Sequence, residues 1–184
     1  IDILLGLGVG SILDVGCGYG HLAQYMKHWC RMNMAAYTGI DIVPEYIDFA
    51  KFSRGNYGSF HCRSAKEHAE KWGENSYDLV VGSGTVGWWQ DPFNLLTDMW
   101  YMAKECMAFN WFEGTSMLTV QKALAFADAC GCKEWTIQHQ YLEGDYTMHM
   151  YKGTESGARK AMPDFNTVDN ASIERQASEI EALV

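Results

Sequence analysis

Short apolar runs alternate along this chain with stretches whose apolar residues recur every three or four positions, and few folds accommodate that alternation. Residues 11–15 (SILDV), 37–40, 59–62, 77–82 (YDLVVG) and 108–112 (AFNWF) read as strands. After the first strand, Leu22, Tyr25, Met26 and Trp29 have helical spacing. After the second, Pro44 suits a first helical position, and Tyr46, Phe49, Ala50 and Ser53 line one face of a helix to about Arg54. Ser64-Ala65-Lys66-Glu67 has the capping-box spacing for a helix ending near Gly73. Asp91-Pro92 reads as an N-cap followed by a first-turn proline. The helix it opens is expected to carry Phe93, Leu96, Trp100, Ala103 and Met107, and a further helix spans 117–130. Residues 133–141 and 146–152 alternate around Leu142-Glu143-Gly144-Asp145, a hairpin.

Five strand–helix units closing on a hairpin predict an α/β fold: a doubly wound, mostly parallel seven-stranded sheet ending in an antiparallel hairpin. The 184 residues suit one domain over 1–152, followed by a polar linker and a C-terminal amphipathic helix marked by Ile173, Ala177, Ile180 and Val184. With 48% hydrophobic residues a buried core is expected rather than global disorder. The net charge of −9 disfavours nucleic acid and anionic membrane, which need a basic surface. No apolar run approaches the roughly 20 residues of a membrane span, and the N-terminal stretch lacks the basic start of a signal peptide, so a cytoplasmic location is expected. The six cysteines sit among apolar neighbours and read as reduced, buried thiols. Cys130-Gly131-Cys132 and His61-Cys62 lack a second pair at zinc-like spacing, so no metal is expected. The chain starts on Ile1 rather than Met, which leaves room for a longer parent chain with a further domain or oligomer partner.

In such a sheet, ligands bind beyond the carboxyl ends of the strands near the switch point. The loop LDVGCGYG (13–20) lies there, its glycines allowing a sharp turn and close approach to a ligand; as a lone feature it reads equally well as a tight strand–helix turn. Asp14 ends the strand where a carboxylate can attract a cationic ligand group. Asp41 ends the second strand, where it can accept both hydroxyls of a ribose, with Ile42 placed to cover one face of an adenine. Together, loop and acid point to a nucleoside-bearing cofactor.

The dinucleotide fingerprint is G-x-G-x-x-G, whereas this loop is G-x-G-x-G followed by His21. With Asp14 before it, the pattern resembles the class I S-adenosylmethionine-dependent methyltransferases, from about Leu4 to Lys152, and includes their closing hairpin, here EWTIQHQYLEGDYTMHMYK. The resemblance implies S-adenosyl-L-methionine as cofactor. Its methionine part would lie on Asp14, Gly16, Cys17, Gly18, Tyr19 and Gly20, its ribose on Asp41 beside Ile42, and its adenine against Ser64 and Ala65. Many relatives have Asp where Ser64 stands, and Ser64 equally well caps its helix.

Residues 81–92 (VGSGTVGWWQDP) should face the transferable methyl, with Ser83 toward the cofactor. The Asn/Asp-Pro-Pro-aromatic signature of amino methyltransferases acting on bases or glutamine is absent, as is a Pro-Cys nucleophile. The segment instead resembles small-molecule methyltransferases. Trp88 and Trp89 read either as a pocket wall or as packing, and Asn110 and Trp111 either as pocket or as strand core. His21, His61, His68, His139 and His149 each read as structural or solvent-facing, so no catalytic base is named. The expected activity is methyl transfer to a small molecule by alignment and desolvation. The alternatives are a catalytically silent methyltransferase-fold binding module and an NAD-dependent oxidoreductase.

Overall fold

A first strand that is buried at every residue must lie inside a sheet covered on both faces, and β1 (Ile12–Val15) does. It pairs in parallel with β2 (Tyr37–Asp41) on one side and β4 (Tyr77–Gly82) on the other. A computed structural model describes residues 10–30, 36–89, 91–114, 116–139 and 143–153. With β3 (Ser59–Cys62), β5 (Ala103–Phe112), β6 (Glu134–Gln138) and β7 (Asp145–Tyr151), the sheet has seven strands in the order β3-β2-β1-β4-β5-β7-β6. Among these strands β7 alone is reversed, pairing antiparallel with β5 from Cys106↔Tyr151 to Phe112↔Asp145 and with β6 on its other side. The predicted doubly wound sheet with a closing hairpin is therefore the observed one.

Alternation along the strands divides the core between two faces. Leu13, Val15, Ile40, Val80, Met107 and Phe109 pack against α3 (Ala65–Trp72), α4 (Pro92–Met102) and α5 (Val120–Ala129). Ile12, Tyr37, Leu79 and Cys106 face the other way, against α1 (His21–Tyr25, continued by the π-helical turn Met26–Cys30) and α2 (Pro44–Arg54). The helices start where their capping residues dictate. Ser64 and Glu67 form both bonds of a capping box, Asp91 accepts from the Phe93 N–H, Thr119 accepts from the Lys122 N–H, and Pro44 opens α2.

The fourth helix departs from its predicted length. It stops at Met102, and Ala103 and Met107, predicted on its apolar face, belong to β5. The Ala103 N–H still donates to Met99 O, yet its backbone is already extended (φ −70°, ψ 133°), so helix passes into strand without a loop. The next helix begins at Val120 rather than near residue 117. The predicted C-terminal helix of residues 173–184 lies outside the described residues. Among those described, no helix is long and apolar enough to cross a membrane.

Topology places the site. From β1 the chain adds β2 and β3 on one side, then returns to add β4 and β5 on the other, so the winding reverses between β1 and β4. The loops after β1, β2, β4 and β5 thus converge on one edge, where such sheets hold ligands.

Candidate active site

The loop after β1 is stitched to the end of β2. The N–H groups of Gly16 and Cys17 both donate to Ile40 O, at 2.8 and 3.0 Å, and the Gly20 N–H closes the turn on Cys17 O at 2.9 Å. Gly16 and Gly18 have φ of +73° and +52°, where a β-carbon is strained. Their surroundings differ. A β-carbon on Gly16 would lie 2.0 Å from Thr85 Oγ1, whereas one on Gly18 would meet nothing within 4 Å. Gly16 is therefore pressed against the loop after β4, while Gly18 faces open space at the mouth of the cleft.

Asp41 holds that mouth together. Its Oδ2 accepts from the Gly18 N–H and its Oδ1 from the Val43 N–H, each at 2.9 Å. Each carboxylate oxygen keeps acceptor capacity beyond its single backbone donor. Ile42, next along, is 55% exposed. Tyr19 packs on Tyr46 and Phe49 of α2, with ring centroids 4.6 and 5.2 Å apart. Ser83 and Gly84 lie exposed at the end of β4; the Gly84 N–H donates to Asn110 Oδ1 at 2.7 Å, and Thr85 Oγ1 donates to Gly16 O at 3.3 Å. At the end of the short turn Val86–Trp88, Trp88 is 85% exposed, so it is not core packing.

Four residues expected at the cofactor sit beneath or beside this opening. Asp14 is buried, and its carboxylate accepts from the hydroxyl of Tyr37. Burial pushes its pKa from 3.8 up to about 6; the Tyr37 bond pulls it down, and the Asp41 charge adds to the rise. Cys17 is also buried, fitting over Gly39, where a β-carbon would lie 2.8 Å from its Sγ. Burial, followed by the charges of Asp14 and Asp41, drives its thiol far up the pH scale, so it is no thiolate nucleophile. The Ser64 hydroxyl accepts from the Glu67 N–H at 3.2 Å and donates to Glu67 Oε2 at 2.9 Å, and Ala65 is buried behind it.

The histidines are equally informative. His68 is buried on α3, shares a hydrogen bond with the Tyr77 hydroxyl at 2.9 Å, and stacks near Trp72. Burial, followed by the charge of Arg63, lowers its pKa to about 4. His149 meets Thr136 Oγ1 at 3.0 Å within the sheet.

A seven-stranded sheet in this order, its last strand reversed, with a glycine turn clasped by an acid at the β1–β2 edge, is the architecture of a class I methyltransferase domain. The chain belongs to that family: a family model described as "Methyltransferase domain" matches residues 13–105, half of the chain. A stretch of 83 residues is 39% identical to the malonyl-[acyl-carrier protein] O-methyltransferase of Acetivibrio thermocellus. It covers 44% of this chain but 27% of that protein, so the chain spans about a quarter of the curated relative's length. Among solved structures, a SAM-dependent methyltransferase from Archaeoglobus fulgidus superposes with a TM-score of 0.65 at 17% identity, covering 82% of this chain and 90% of that one. A putative S-adenosyl-L-methionine-dependent methyltransferase from Methanococcus maripaludis gives 0.67 at 14% identity, covering 85% and 84%. The plantazolicin methyltransferase BpumL, solved with SAH and a triazolic desmethylPZN analog, gives 0.63 at 15% identity, covering 82% and 80%.

Sequence reasoning passed over Tyr37, the partner of Asp14, and Thr85, which fills the space beside Gly16. No signal marks Tyr37, a plain strand aromatic. Thr85 sits in the glycine-rich stretch already suspected, and Asn110 is the polar residue in an otherwise apolar strand end.

Proposed function

We propose that this chain binds S-adenosyl-L-methionine across the β1–β2 edge and methylates a small-molecule acceptor held beyond β4 and β5. The observation that carries the reading is the clasp of Asp41 on Gly18. One carboxylate orders the glycine turn and at the same time presents acceptor lone pairs where a ribose would lie. The fit is borne by the open space over Gly18, since a close-lying ligand needs a backbone without a side chain there. In this reading Gly16, Gly18 and Tyr19 flank the methionine part, Asp41 takes the ribose, Ile42 covers the adenine, and Ser83 and Gly84 approach the sulfur end. Asp14, Cys17 and Gly20 support the turn from below, and Ser64 and Ala65 border the adenine by their backbone.

When bound, the cofactor supplies a methyl group on a positively charged sulfur, already activated for displacement. The protein's own task is placement and exclusion of water. The Asp41–Gly18 and Thr85–Gly16 contacts fix the donor side. Trp88, in the turn after β4, and Phe112, at the end of β5, are both exposed and offer apolar surface to an acceptor. The matched relative supports methyl transfer, and its malonyl thioester belongs in the acceptor panel beside free amines and alcohols.

Calorimetry with S-adenosylmethionine, its demethylated product and NAD tests the donor. Binding of the first two and not the third is expected, and Asp41→Ala should abolish it. Unchanged affinity in Asp41→Ala would remove the ribose role. Turnover across the acceptor panel then separates an enzyme from a silent binding module.

A further inference from the structure

Resting on that donor-site reading, we propose that Asn110 is a positioning residue for methyl transfer: it fixes the loop after β4 and, through it, the glycine turn after β1. Asn110 stands near the end of β5, opposite Thr147 of β7. Its amide orientation is dictated by its partners. The Gly84 N–H can only donate, so Oδ1 must face it, at 2.7 Å; Nδ2 is thereby turned to Asp145 Oδ1, at 3.4 Å. Asp145, the first residue of β7, thus sets which way the amide points.

Gly84 needs such a pin. Its φ is +70°, and a β-carbon there would meet nothing within 4 Å, so no neighbour braces it on the side-chain side. The bond its N–H donates to Asn110 Oδ1 does. The next residue, Thr85, donates to Gly16 O and occupies the space a β-carbon of Gly16 would need. A continuous set of contacts therefore runs Asp145–Asn110–Gly84–Thr85–Gly16, from the acceptor end of the sheet to the turn that Asp41 clasps. Displacing Gly84 displaces Thr85, and Gly16 has no slack against it.

The test uses the whole chain and reads donor binding by calorimetry. N110A should raise the dissociation constant for S-adenosylmethionine about five- to tenfold, the order expected for one lost hydrogen bond. N110D sets two carboxylates against each other and should weaken binding at least as much at pH 7. The exchange N110D/D145N restores an acceptor toward Gly84 and a donor at position 145, and should return affinity to within twofold of wild type. Amide exchange in the unliganded protein should quicken at Gly84 and over residues 16–20 in N110A and revert in N110D/D145N. If N110A does not fold, N110D and N110D/D145N, which keep the side chain's size, carry the comparison. Wild-type affinity in N110A and N110D, a double variant no tighter than N110D, or unaltered exchange at residues 16–20 would each overturn the proposal while leaving the donor site intact. Failure of the wild-type chain itself to bind S-adenosylmethionine would overturn the underlying reading as well.

Discussion

Replacing Asp14 with Asn should expose a pH dependence that the wild-type protein conceals. Asp14 is buried, and its pKa rises from 3.8 to about 6 on folding, chiefly through burial. A raised carboxylate contributes stability fully present below its unfolded pKa and lost as pH climbs through its folded one. The loss, between about pH 4 and 6 at about 1.4 kcal/mol per pH unit, comes to about 3 kcal/mol. His68 behaves oppositely. Its pKa falls from 6.5 to about 4, so its contribution is complete above pH 6.5 and is lost as pH drops toward 4, again by about 3 kcal/mol. The two slopes nearly cancel over the same window. In Asp14→Asn, whose amide oxygen can still accept from Tyr37, the cancellation ends. Urea unfolding of both proteins from pH 4 to 7 gives the difference curve, in which the remaining carboxylates drop out. The variant should gain about 3 kcal/mol on wild type between pH 4 and 6. A flat difference curve, or one of opposite slope, would refute the burial argument for Asp14.

The two glycines of the first loop should separate folding from binding. Gly18→Ala should cost about 1–2 kcal/mol in a urea melt, for backbone strain alone, yet weaken S-adenosylmethionine more than tenfold, whereas Gly16→Ala should lose more stability because it also collides with Thr85. Ser64→Ala should cost about 1 kcal/mol as a lost cap while donor affinity by calorimetry stays within twofold; weakened binding at unchanged stability would instead make its hydroxyl a cofactor contact. Trp88→Ala, altering a side chain 85% exposed, should leave stability within about 0.5 kcal/mol and raise the acceptor KM several-fold in steady-state kinetics.

How legible was this molecule in its sequence? The central strands β1 and β4 were legible because parallel strands covered on both faces are largely apolar, and β6 and β7 because they alternate around a turn. Residues 93–107 misled because two periods coincide there. Phe93, Leu96, Trp100, Ala103 and Met107 keep helical spacing, yet Ala103, Met107, Phe109 and Trp111 also keep the spacing of a strand, and no Gly or Pro marks the change. In the site, the meeting of Asp41 with the glycine turn was legible because the two end adjacent strands at the same edge. The fate of Asp14 was not: its direction depends on the pleat, and Tyr37, 23 residues on, decides what it meets. Asn110 remained ambiguous for the same reason, since only the loop opposite reveals whether a strand-end amide has a backbone to hold.

The seamless passage from α4 into β5 has an evolutionary corollary. With no spare residue between Met102 and Ala103, any insertion or deletion there must shift every pairing of β5 with β4 and β7, and with it the frame from which substrates are approached. In this chain the freedom to lengthen therefore falls to the opposite rim, beyond Trp88 in the connection after β4 and beyond Phe112 in the one after β5.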